Sequence, residues 1–124
     1  MLKYILVSLG AAIGGALRYW LSNYVYKFLP ENFPYGTLTV NVAGSFLVGF
    51  FIFYLSDREI ISSNLKLFLT VGFCGGFTTF STFSLETMNL FRDSEFLLAG
   101  FNILLNLFLC LLGVYLAYII FKAN

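Results

Sequence analysis

Phe96–Phe121 reads FLLAGFNILLNLFLCLLGVYLAYIIF, twenty-six residues without one charged side chain. A helix needs about 20 apolar residues to cross a hydrocarbon core of about 30 Å. The natural solvent of such a segment is lipid, and the rest of the chain keeps the same character. Phe33 to Ser56 is also uncharged, Tyr4 to Tyr26 is interrupted only by Arg18, and Leu67 to Phe91 only by Glu86. The pattern predicts an all-α integral membrane protein: one domain over residues 1–124, with four transmembrane helices near 4–26, 33–56, 67–91 and 96–121.

Composition agrees and narrows the chemistry. The 124 residues are 60% hydrophobic and 10% charged, against about 25% charged in a soluble domain. A small soluble fold could not hide that much apolar surface. Seven Lys/Arg against six Asp/Glu give a net charge of +1, which supplies no basic patch for nucleic acid. Without histidine, a histidine base, a catalytic triad and the usual zinc sites are missing. Cys74 and Cys110 lie in apolar surroundings and read as small buried hydrophobes, not as a disulfide or metal pair. Only Glu86, of the acidic residues, is embedded in an apolar stretch. The chain is not expected to be an enzyme.

The connections are short. Pro30, Glu31 and Asn32 form a turn signal, and Pro34 suits the first turn of the second helix. Asp57–Glu59 open the second connection. Arg92–Glu95 make the third, with Ser94 or Asp93 expected to cap the fourth helix. Residues 1–15 resemble a signal peptide in hydrophobicity, but apolar character continues past them without an Ala-x-Ala cleavage pattern, so a retained helix is expected. Four crossings put Lys3, Arg58, Lys66 and Lys122 on one side, against Lys27 and Arg92 on the other, with Arg18 added if it reaches the interface. The Lys/Arg bias that sets orientation is therefore slight. Either a weak excess suffices, or the chain inserts both ways and permits an antiparallel homodimer.

Polar residues inside the spans carry the functional signal. Asn41 lies midway along the second; Asn102, Asn106 and Cys110 share one face of the fourth at i, i+4 and i+8. A single Asn reads as inter-helix glue. Three in uncharged spans favour a polar passage, because such groups otherwise cost free energy in lipid. The third span holds the most unusual run, Gly72-Phe-Cys-Gly75-Gly76-Phe-Thr78-Thr79-Phe80-Ser81-Thr82-Phe83-Ser84. Glycines followed by hydroxyls fit either close packing or an unwound stretch whose carbonyls could hold a small hard cation. Phe80 and Phe83 share a helix face, as packing or as ring edges offered to an anion. Gly10 and Gly14, with Gly44 and Gly49, let helices approach closely. Arg18 either snorkels to the interface or sets a positive field near an entrance.

These residues resemble a known family. Gly10–Tyr19, Gly36–Phe46 and Gly72–Ser84 resemble motifs of the bacterial Fluc fluoride channels, also called CrcB proteins, in the right order on the first three spans, and the resemblance covers essentially the whole chain, including its length. It implies a dual-topology antiparallel homodimer with two fluoride pathways, multi-pass in the bacterial inner membrane. It also implies a central Na+ that is structural and not transported, held by the backbone carbonyls of Gly75 and Thr78 at a break in the third helix. By the same resemblance Phe80 and Phe83 are pore aromatics and Asn41 the pore asparagine. Ser81 and Thr82 become hydroxyl wall, and Glu86 the acidic residue further along. The fourth helix departs from the family, with Asn102, Asn106 and Cys110 where hydroxyls are usual. The implied activity is passive export of fluoride that entered as HF and dissociated inside. An alternative of similar size is a small multidrug exporter, but that class couples protons through a carboxylate in the first span, where this chain has none.

Overall fold

A computed structural model describes residues 1–122, and every regular element among them is helical. Helix α1 is Leu2–Val25, α2 is Tyr35–Ser56, and α5 is Phe96–Lys122. The third crossing, Ser63–Arg92, comprises α3, residues 63–77, and α4, Phe80–Arg92. All four crossings are long and apolar enough to span a membrane.

Local chemistry sets the ends. Pro34 occupies the N-cap position of α2, and its carbonyl accepts the Leu38 N–H at 3.2 Å. The third crossing begins at Ser63, ahead of the expected Leu67, because the Ser62 hydroxyl accepts the Leu65 N–H at 3.1 Å. Neither Ser94 nor Asp93 caps the fourth crossing. They close α4 instead: Ser94 sits at φ 63°, its N–H returns to the Phe91 carbonyl, and the Glu95 N–H reaches the Leu90 carbonyl. This is a Schellman turn built without glycine. The end of α2 repeats it, with Glu59 at φ 58° and the Ile60 N–H on the Leu55 carbonyl. Within α2 and α3, Phe51–Ser56 and Phe68–Cys74 are wound as π-helix.

Two seams hold the bundle together. In the first, α1 meets α3 backbone to backbone. A Cβ on Gly10 would lie 2.5 Å from the Phe68 carbonyl oxygen, and one on Gly76 2.5 Å from that of Ala11. In the second, α2 lies along α5, where a Cβ on Gly49 would meet Ala117 at 2.5 Å. Where the helices come this close, dispersion and not hydrophobic transfer drives association, because lipid is as apolar as the side chains. Lys122 reaches Asp57 at 3.3 Å and Arg58 donates to the Phe121 carbonyl. The second connection and the end of α5 therefore share one face of the bundle, and the first and third connections meet at the other. The interior is inverted relative to a soluble protein: Thr37, Asn41, Thr87, Asn102 and Asn106 are buried, while Trp20, Leu97, Phe108 and Leu111 are exposed.

Candidate functional site

The site is built around Thr78 and Thr79, which lie between α3 and α4 in extended conformations (φ/ψ −95°/162° and −153°/121°). Several main-chain groups released there pair with side chains. The Thr79 N–H, which in a continuous helix would bond the Gly75 carbonyl, donates to Asn41 Oδ1 at 2.8 Å. Asn41 Nδ2 in turn donates to the Thr79 carbonyl at 3.1 Å, so one side-chain amide pairs both polar groups of Thr79. The Thr82 N–H, the helical partner of the Thr78 carbonyl, donates instead to Thr79 Oγ1 at 3.1 Å and caps α4. Arg18 Nε donates to the Gly76 carbonyl at 3.0 Å. The carbonyls of Gly75 and Thr78 are thus the two whose usual donors have been drawn away by side chains.

A groove of about 490 Å³ opens on this segment, lined among others by Asn41, Gly75, Thr78, Phe80, Phe83 and Asn106. Phe80 is 74% exposed and Phe83 only 8%, with ring centroids 5.3 Å apart and planes inclined by 51°. Cys74 and Cys110 are both free thiols and contribute to the groove wall. No cluster of three or more His, Cys, Asp or Glu that could hold a metal occurs among the described residues.

The three asparagines form one connected network. Asn41 Nδ2 also donates to Asn106 Oδ1 at 3.0 Å, and Asn106 Nδ2 to Asn102 Oδ1 at 2.9 Å. Asn102 Nδ2 donates to Thr87 Oγ1 at 2.9 Å, and that hydroxyl to the Phe83 carbonyl at 2.7 Å. Both Asn41 donor hydrogens are therefore engaged within the chain. The hydroxyls differ: Thr82 Oγ1 accepts from Thr79 Oγ1 at 3.1 Å, which directs its own hydrogen elsewhere. Ser81 is exposed, with a single 3.3 Å contact to Thr79 Oγ1.

Of the residues singled out from sequence, Asn41, Gly75, Thr78, Phe80, Phe83 and Asn106 come together at the groove. Asn102 stands behind them, 1% exposed. Glu86 lies apart, lining a second cavity of about 480 Å³ with Tyr26, Glu31, Asp93 and Glu95. Its carboxylate faces Thr37, and Oε1 is buried without a hydrogen-bond partner among the described residues. Sequence reasoning missed Thr37 and Thr87, and passed over Thr79 as one hydroxyl of a run. The available signal for Thr87 was its place four residues after Phe83, on the same helix face.

Residues 5–118 match the family model described as CrcB-like protein, Camphor Resistance (CrcB). The chain belongs to the CrcB family. Its curated relatives include proteins named fluoride-specific ion channel FluC. That of Methylocella silvestris is 43% identical over 121 residues, covering 96% of this chain and 92% of the relative. That of Paramagnetospirillum magneticum is 48% identical over 121 residues, covering 96% and 94%. The Geobacter metallireducens protein is 46% identical over 111 residues, covering 90% of each. A CrcB-family assignment and four membrane-capable crossings describe a multi-pass membrane protein of a channel family, not an enzyme.

Proposed function

We propose that the chain is a fluoride-selective anion channel through which fluoride leaves the cell passively, protecting it from fluoride toxicity. The observation that carries this reading is the family match to fluoride-specific channels, joined to a groove lined by Phe80 and Phe83 where α3 ends and α4 begins. At that point α4 directs its positive N-terminal dipole toward the groove, which favours an anion. Ser81 and Thr82, on the first turn of α4 beside the groove-lining Phe80 and Phe83, would supply hydroxyl hydrogens to replace water around fluoride. Phe80 and Phe83 add positive ring edges without a fixed cation that would trap the ion. Small fluoride is the stronger hydrogen-bond acceptor, so a narrow wall of donors compensates its dehydration better than that of chloride. Several weak sites allow exit as well as entry. Asn41 and Asn106 border the route and Asn102 supports them, while Glu86, in the second cavity, lies outside this groove. Arg18 serves the route by holding the Gly76 carbonyl.

The active form in this reading is an antiparallel homodimer in the bacterial inner membrane, supported by the near-balanced Lys and Arg. Gly75 supports a close approach by a second copy: a Cβ there would meet only the Thr70 carbonyl, at 4.0 Å, so this chain itself leaves the space open. The Gly75 and Thr78 carbonyls, with their helical donors diverted, suit a hard cation with oxygen ligands. When bound, Na+ would supply charge that links the α3 ends of two subunits. The exporter alternative is unsupported by any relative described above. Fluoride against chloride efflux from liposomes tests the function. Fluoride permeation without chloride permeation is expected, and equal rates for the two ions would reject selectivity.

A further inference from the structure

The polarity of every amide in the asparagine network can be assigned from its ends. Thr79 N–H is only a donor and its carbonyl only an acceptor, so Asn41 must present Oδ1 to the first and Nδ2 to the second. Asn106 must then offer Oδ1 to Asn41, which turns its Nδ2 toward Asn102, where both the side-chain Oδ1 and the main-chain carbonyl accept at 2.9 Å. Asn102 accepts with Oδ1 and donates to Thr87 Oγ1, leaving the Thr87 hydrogen for the Phe83 carbonyl. Each link has one orientation that satisfies its neighbours. The chain starts on the main chain of Thr79 and ends on that of Phe83. Those two residues bracket the turn that carries Phe80, Ser81 and Thr82.

We propose that Thr87 is a positioning residue for this turn: its hydroxyl anchors a one-way amide relay through Asn102, Asn106 and Asn41 that holds Thr79 extended. Thr87 touches neither the groove nor the ion. Its effect reaches the aromatic wall because removing the hydroxyl leaves Asn102 Nδ2 unpaired in a site with little water. The amide then gains by rotating, so that Asn106 loses its Oδ1 partner and is held to Asn102 through the main-chain carbonyl alone, at 2.9 Å, and its hold on Asn41 weakens in turn. Inter-helix glue of the ordinary kind would weaken the α4–α5 contact locally and leave Thr79 untouched. The proposal builds on the conduction reading but makes a claim that is measurable without it.

The test uses the full chain in detergent micelles, following Thr79 amide hydrogen exchange by NMR, and in phosphatidylethanolamine–phosphatidylglycerol liposomes, following efflux with a fluoride electrode. Thr87→Val keeps shape and removes the hydroxyl; Thr87→Ser keeps the hydroxyl and removes the methyl. In Thr87→Val the Thr79 amide should exchange roughly 5–10-fold faster, the size of one neutral hydrogen bond, while α1 amides near Gly10 do not change. Fluoride efflux should fall by a similar factor, and Thr87→Ser should restore both. If Thr87→Val does not fold, Asn102→Leu interrupts the next link and should give the same pair of changes. Unaltered Thr79 exchange would overturn the relay, as would faster exchange with normal efflux, or failure of Thr87→Ser to restore it. A wild-type protein that moved no fluoride would overturn the conduction reading, and the exchange comparison would then decide the relay alone.

Discussion

Gly10 and Gly15 lie on one helix and ask for opposite responses to the same added methyl group. A Cβ at Gly10 would stand 2.5 Å from the Phe68 carbonyl oxygen and 2.8 Å from the Phe73 nitrogen, whereas at Gly15 the nearest atom is the Gly76 carbonyl oxygen at 4.0 Å. Both neighbours of Gly10 are backbone atoms, so neither can rotate away. Bringing the tighter contact from 2.5 to 3.0 Å, the shortest separation real Cβ atoms adopt, requires α1 and α3 to part by 0.5 Å. A gap of that size forfeits about a quarter of each dispersion well along the seam, and overpacking of this kind costs about 1–3 kcal/mol. Helix propensity favours Ala over Gly equally at both positions, so it cancels in the comparison. Gly10→Ala should therefore be about 1–3 kcal/mol less stable than Gly15→Ala. Unfolding of each purified variant by titration of denaturing into mild detergent measures the difference directly. Equal stability of the two would refute close backbone packing of α1 on α3.

Three further outcomes follow from other parts of the molecule. Phe80→Ile and Phe83→Ile should each sharply lower fluoride efflux, but only the buried Phe83 should also lose stability; unchanged efflux in both would remove the aromatics from the route. Ser94→Gly should stabilise the protein by about 1 kcal/mol, because Ser94 holds φ 63° where a side chain is strained, and an unfolding midpoint that fell would count against the turn as described. Gly75→Val should leave the protomer helical by circular dichroism while reducing dimer in cross-linking, and a dimer yield equal to wild type would argue against close approach at Gly75.

How far the sequence could be read depended on the range of the interaction. Solvent preference is a property of each segment, so the uncharged run Phe96–Phe121 announces its helix without reference to any other part of the chain. The turn at Asp93–Ser94 was misread for a related reason. Ser before an apolar run is a strong N-cap signal, yet the same residue also ends α4, and the left-handed return to Leu90 and Phe91 prevailed. Asn41, Asn102 and Asn106 were visible as costly groups in lipid. Their partners on other helices were not, because groups fifteen to sixty-five positions apart in the chain meet only after the helices pack.

By itself, then, the sequence determined the solvent, the number of crossings, the short connections and the motif that marks the family. Each follows from local composition and spacing. Only the tertiary structure decided that Asn41 spends both donor hydrogens inside the chain, that Thr87 stands at the end of that network, and that Glu86 belongs to a different cavity. A hydrogen-bond donor has one partner per proton, and which partner it takes is settled by three-dimensional proximity, which no single segment encodes.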